Sequence, residues 1–391
     1  MARRQLLPGV GYYTLQVKVG AGEHDVITLH RVVAEQKPGR AEPASKAIFM
    51  IHGDIRGFEA TFFGLTLHND PPQESMPVFM ARHAVDVWGI SYRWAQVPVG
   101  FPDQSFMAGW GMDVAVSDAR IGLRIARVAR WLSGQGHKRL HVVGFSRGVW
   151  ATMALANAEA TEPPSRRDVG GLIPIDGSFK GDPANEAWRQ GNCSDYAWYQ
   201  DMLAAGSFGE DTSFFPFVGQ LALDSPNEPN PFDRGLTNAQ FAIRFGVSPL
   251  GVPGMEWYHF AAGTFDGNIP TGMVYTDPRF FFVELTKVFG FNPALYLSDT
   301  ASVTCNELDV PWDDHISEVR VPFFYLGSAG GFGTVGEYLT QIVGSPDVTS
   351  MIVRQRPPEE VALDVGHTDT FQSGEARELF WEPILDWIRA H

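Results

Sequence analysis

The most pointed chemistry in this chain lies in Gly144-Phe145-Ser146-Arg147-Gly148, a serine flanked at two positions on either side by glycine. Such a spacing turns up by chance in roughly one chain in ten of this length, so its setting has to carry the argument. The apolar run Leu140-His-Val-Val precedes it, and Val149-Trp-Ala-Thr-Met-Ala-Leu-Ala-Asn-Ala follows, a stretch of small helix formers. Strand, tight turn and helix in that order hold a serine in a strained backbone conformation with its Oγ lifted above the end of a sheet, and only residues without a side chain fit beside such a turn. A serine hydroxyl is a poor nucleophile until a neighbouring base takes its proton, so the chemistry implied is acyl transfer with a partner elsewhere in the chain. No HExxH, no paired Cys or His spacing for zinc and no GxxxxGK[ST] phosphate loop occurs. The glycines of Gly327-Ser-Ala-Gly-Gly-Phe-Gly333 have no usable dinucleotide-binding register. Neither a cofactor nor a metal is implied.

The elements that must position Ser146 can be read from periodicity. From Tyr12 to about Val33 apolar residues alternate around a Gly-rich turn, which predicts an antiparallel hairpin. Continuous apolar runs then recur at Ala47–Ile51, Val85–Ile90, Leu140–Gly144, Gly171–Ile175, Val321–Leu326 and Ser350–Arg354, with helical stretches between most of them. That alternation predicts an α/β fold with a mostly parallel central sheet flanked by helices. In the helix before the third run, Ile121, Ile125, Val128 and Leu132 form a stripe expected to face the sheet, leaving Arg120, Arg124, Arg127 and Arg130 largely toward water. From Gly177 to about Val310 the rhythm breaks. Trp188, Trp198, Tyr199, Phe215, Phe245, Trp257, Tyr258, Phe260 and other aromatics predict an inserted cap with a small core of its own, some of them lining a pocket. The expected organisation is core at 1–176, cap at 177–310 and core again at 311–391.

With Ser146 on that turn, the chain resembles the α/β-hydrolase superfamily over Tyr12 to about Asp176 and from Asp313 to the C-terminus, with the cap inserted where that family inserts one. The resemblance implies a serine, acid and histidine triad in which the histidine comes late. Its match is His367 in Asp364-Val365-Gly366-His367-Thr368-Asp369, after the last predicted strand and before a helix starting near Ser373. Of the 11 histidines, His259 and His315 could also reach a pocket. The usual acid follows the strand written here VPFFYLGSAGGFG, and that loop has no carboxylate. Asp176, at the end of GLIPIDG, stands where some families of this fold place the acid instead; Asp314, Glu337 and Asp347 are the alternatives. The oxyanion donors implied are the backbone N–H groups of Arg147 and Asp54, the Asp54 carboxylate turning away toward Arg56 or Arg93. Phe145, Trp257, Tyr258 and His259 are candidate substrate contacts.

The resemblance thus implies a serine hydrolase acting on a carboxylic ester of a fairly apolar or bulky small molecule. A lactonase or amidase would use the same residues, and a ligand-binding member without turnover would keep the pocket alone. Composition fits a globular enzyme: of 391 residues 44% are hydrophobic and 19% charged. The formal charge of −15 repels phosphate backbones and excludes nucleic acid as a natural partner. No run approaches the ~20 apolar residues of a membrane span, and MARRQLLPGVGYY lacks the core of a signal peptide. A cytoplasmic protein is expected, although a chain already relieved of an export signal would read the same way. Cys193 and Cys305 cannot make a disulfide framework and are expected as buried small hydrophobes.

Overall fold

The computed structural model describes residues 2–391, and its centre is one sheet of ten strands. β1 (Ala2–Leu7), β2 (Val10–Lys18) and β3 (Val26–Lys37) form an antiparallel meander, with the two-residue β4 (Arg40–Ala41) folded back on β3. β5 (Lys46–Ile51), β6 (Val85–Ser91), β7 (Leu140–Phe145) and β8 (Val169–Ile175) follow. Next come four short strands that pair outside the sheet: β9 (Gly209–Asp211) with β12 (Phe291–Pro293), and β10 (Gly263–Asp266) with β11 (Ile269–Met273). β13 (Phe323–Ser328) and β14 (Val348–Val353) complete the sheet. Its order is β1-β2-β3-β6-β5-β7-β8-β13-β14, antiparallel as far as the β3–β6 pair and parallel from β6 onward.

The predicted runs became the parallel strands because both their faces are covered. Along β5, Phe49 and Ile51 pack toward the helices Met112–Leu132 and Gly148–Ala160, while Ile48 and Met50 pack toward Met76–Arg82 and the C-terminal helix Glu382–Ala390. β1, with the exposed sequence ARRQLL, was not foreseen: it carries little apolar signal and is held by pairing with β2 and by the Arg3–Glu35 ion pair.

The helix Met112–Leu132 corrects one expectation. Its buried stripe is Ala115, Ala119, Gly122, Leu123 and Ala126, ending in Arg130, whereas Val128 and Leu132 are exposed. Small residues let the helix lie close on the sheet. A side chain at Gly122 would stand 2.8 Å from both Leu29 and Phe49. Arg130 belongs to that buried face because it donates to the buried Asp86 carboxylate at 2.7 Å. Arg120, Arg124 and Arg127 pair instead with Glu162 and Asp168 nearer the surface.

Between β8 and β13 the chain makes five α-helices, Glu186–Ala204, Phe214–Asp224, Asn238–Val247, Pro278–Leu285 and Ala294–Cys305. Val218, Ala242, Val247, Phe281, Phe282 and Leu285 form a separate small core there. The cysteines are not free hydrophobes: Cys193 and Cys305 are joined in a disulfide that ties the first of these helices to the last. Their separation of 112 residues hid the pairing. Among the described residues no helix is long and apolar enough to cross a membrane.

Candidate active site

Ser146 follows β7 directly, at φ +53°, in the left-handed region that β-carbon-bearing residues avoid. Its amide donates to the Ile175 carbonyl at 3.0 Å, pinning the turn to β8. The flanking glycines are demanded by space: a side chain at Gly148 would lie 2.5 Å from the Ile51 carbonyl oxygen, and one at Gly144 would run into Thr152. The turn leads straight into the helix Gly148–Ala160, as its small residues predict.

Asp176 directly follows β8 at φ +42°, fully buried. Its Oδ2 lies 2.6 Å from His367 Nδ1. Its Oδ1 accepts the amides of Ser328 at 2.8 Å and Phe332 at 3.1 Å. The loop after β13 that lacks a carboxylate thus turns its N–H groups onto the carboxylate of the neighbouring strand. A side chain at Gly331 would collide with that carboxylate. His367 is 4% exposed, donates its amide to the His259 carbonyl at 3.0 Å, and stacks on Phe145 with ring centres 4.6 Å apart. With Nδ1–H directed at the Asp176 carboxylate, the Nε2 lone pair is free to accept a proton. Ser146 and His367 line one cavity of about 340 Å³ at the C-terminal end of the parallel strands. Asp314, Glu337 and Asp347 do not contact His367; Glu337 is spent on Ser350 and Asp347 on His391.

No protein-family model and no curated protein matches the chain. Among solved structures it is similar to a putative lipase from Sulfolobus solfataricus, at 18% identity and a TM-score of 0.65, over 98% of this chain and 95% of that one. It is also similar to a hypothetical protein from Pseudomonas aeruginosa, at 10% identity and a TM-score of 0.53, over 99% and 96% of the two chains. The chain has the α/β-hydrolase fold.

In α/β-hydrolases the loop after the first central parallel strand supplies one oxyanion donor. Here that loop begins His52-Gly53-Asp54, and it lies so close to the turn that a side chain at Gly53 would stand 2.6 Å from Ser146 Cβ. Among the described residues the amides of Asp54 and Arg147 have no protein acceptor, and both residues line the cavity. The Asp54 carboxylate pairs with Arg147 Nε, not with Arg56 or Arg93 as expected. Arg147 Nη1 donates to Thr300 at 2.6 Å, and Arg93 is occupied by Asp25 and Asp118. The pair with Asp54 holds the Arg147 pKa up against the opposing effect of burial.

Of the four candidate substrate contacts, Phe145 and Tyr258 line the cavity. Trp257 and His259 do not. Trp257 Nε1 donates to the Gly331 carbonyl at 3.1 Å, and the buried His259 ring sits between the carbonyls of Trp257 and Asp364, each at 2.8 Å. Trp257 is thus tied to the loop after β13, and His259 to the loop that carries His367. His315 lies at the surface against Glu318. The sequence reading named Arg56 only as a partner for Asp54 and missed the rest of the polar wall, Thr61, Glu210, Asp211 and Asn292. Burial raises the Glu210 pKa, opposed by the hydrogen bond from Asn292 at 3.2 Å. Glu210 and Asn292 meet only because β9 pairs with β12, which no local pattern announces.

Proposed function

We propose that this α/β-hydrolase is a serine hydrolase that cleaves carboxylic esters through an acyl-enzyme on Ser146. The observation that supports this best is the Asp176–His367 pair, closed at 2.6 Å on the wall of the cavity that Ser146 also lines. Ser146 Oγ attacks the ester carbonyl carbon as its proton passes to His367 Nε2, and the oxyanion that forms accepts the Arg147 and Asp54 amides. The tetrahedral adduct collapses by breaking the bond to the alkoxy oxygen, which leaves as the alcohol with the proton from His367. Water then attacks the acyl carbon, its proton going to His367. The acid leaves and Ser146 recovers its proton. Asp176 holds the imidazole in the required tautomer and stabilises the imidazolium.

In this reading residues 177–310 act as a cap, contributing Tyr199, Glu210, Phe215, Tyr258 and Phe260 to the roof of the cavity. A volume of about 340 Å³ lies near the lower end of the ~300–1,000 Å³ typical of ligand sites. Together with the polar wall, it favours a compact ester with polar groups over the fairly apolar or bulky one that the resemblance implied. The Cys193–Cys305 bond favours an oxidising compartment over the cytoplasm. The test is turnover of 4-nitrophenyl esters of rising acyl length. Acetate and butyrate esters should be hydrolysed and long-chain esters poorly, with the activity of Ser146→Ala falling to the spontaneous rate. Undiminished hydrolysis by Ser146→Ala would overturn the proposal.

A further inference from the structure

Two guanidinium groups border the cavity, and they differ in what they are doing. Arg147 is engaged by Asp54 and Thr300. Arg56 has a side chain only 11% exposed, yet it donates no hydrogen bond to any protein group; its nearest carboxylate oxygen, Glu284 Oε2, is 3.9 Å away. Glu284 turns its other oxygen to His68 at 2.7 Å. The backbone around Arg56 is fixed, because its amide donates to Asp54 at 2.7 Å and its carbonyl accepts from Thr61 at 3.1 Å. The Tyr258 hydroxyl, on the same wall, also makes no protein hydrogen bond. Burial lowers the Arg56 pKa, opposed first by the charge of Glu284 and then by Tyr258, and burial raises the Tyr258 pKa.

A guanidinium has five N–H donors, and those of Arg56, on the cavity wall, are open to a ligand. An acceptor of opposite charge is held there by charge-assisted hydrogen bonds, with two parallel N–H···O bonds available to a planar oxyacid. Resting on the serine-hydrolase reading, we infer that the substrate of this site carries a carboxylate, bound by Arg56 with the Tyr258 hydroxyl beside it, in addition to the ester group that Ser146 attacks. The charge around the cavity favours a monoanion over a phosphate dianion. Glu284 already pairs with Arg56 at 3.9 Å, Asp54 pairs with Arg147, and Glu210 and Asp211 line the same space, so one carboxylate can take the free guanidinium donors and a second negative charge would have no partner. Arg56 is in this account a specificity residue, placed two positions from the Asp54 amide by the same tight turn.

The experiment compares kcat/KM of the full chain for the 4-nitrophenyl monoester of glutaric acid and for the same ester with its free carboxylate methylated. The wild type should favour the carboxylate ester by about tenfold or more, the scale set by a hydrogen bond to a charged group. Arg56→Met should bring that ratio to about one, and Arg56→Lys should restore part of it, which a merely structural role would not do. A wild-type ratio near one, or a ratio unchanged in Arg56→Met, overturns the inference. If Arg56→Met does not fold, the wild-type and Arg56→Lys ratios decide. If neither ester is hydrolysed the serine-hydrolase reading fails, and binding then decides alone, by calorimetry of monomethyl glutarate and dimethyl glutarate with Ser146→Ala. Roughly tenfold tighter binding of the monoanion, reduced by adding Arg56→Lys, supports carboxylate recognition, and equal or absent binding of the two overturns it.

Discussion

Asp176 reaches His367 across 191 residues of sequence, its Oδ2 standing 2.6 Å from the imidazole Nδ1. The same carboxylate gathers the amides of Ser328 and Phe332 with its other oxygen, so one side chain both orients the histidine and anchors the loop after β13. The two jobs separate under mutation. Asp176→Asn keeps an oxygen for the loop amides but presents an N–H₂ group to Nδ1, which favours the wrong tautomer. We expect kcat to fall by about 10³–10⁴, with KM within a few fold and only a modest loss of thermal stability. A steady-state comparison with a melting curve checks it, and kcat within tenfold of wild type would assign the orienting role elsewhere.

Arg130 and Arg124 lie on one helix and should respond very differently in magnitude to truncation. Arg130→Ala leaves the buried Asp86 carboxylate with Arg31 alone and should cost about 3–5 kcal/mol. Arg124→Ala, at a pair whose arginine side chain is 55% exposed, should cost no more than about 1 kcal/mol. Urea unfolding of the two variants gives the difference.

Asp299 predicts a pH dependence. Burial, reinforced by the Asp113 charge and opposed by the hydrogen bond from the Met112 amide, raises its pKa from 3.8 to about 7. The folded protein therefore holds this proton more tightly than the unfolded chain, and the stability it confers is fully present below pH ~4 and lost as pH rises through ~7. Asp299→Asn removes the ionisation. It should raise stability by about 1–3 kcal/mol at pH 8 and change it little at pH 4. Melting temperatures at the two pH values test the sign.

The disulfide closes a loop of 112 residues, for which the chain-entropy account gives about 4–5 kcal/mol. Thiol titration of the unreduced, unfolded protein should find no free cysteine. Cys193→Ser should lower the melting temperature, and adding reductant to the wild type should do the same. Free thiols in protein purified without reductant would contradict the bond.

The sequence made the site legible where local pattern and chemistry coincide. Ser146 was marked by two glycines between a strand and a helix, and Asp176 by the end of a buried apolar run. His367 became legible through the order of residues in the family that the chain resembles. Patterns failed where a long-range partner decides the outcome. The arginine stripe at 120, 124, 127 and 130 looked uniform, and only the buried Asp86 on β6 singles out Arg130. The Ile121, Ile125, Val128 and Leu132 stripe was the more apolar one, yet the helix turned its alanines and Gly122 to the sheet because close approach there outweighs side-chain size. His259 resembled a pocket histidine until its ring was found between two carbonyls. The polar wall at Glu210 and Asn292 depends on pairing of two three-residue strands that lie far apart in the chain.

The central claim is that His367 activates Ser146. It is tested most directly by exposing the wild type, Ser146→Ala and His367→Ala to a small fluorophosphonate, followed by intact mass and peptide mapping. The account predicts a single adduct on the peptide containing Ser146 in the wild type, none in Ser146→Ala, and labelling slowed by several orders of magnitude in His367→Ala. An unlabelled wild type, or labelling of Ser146 at the same rate without His367, would contradict it.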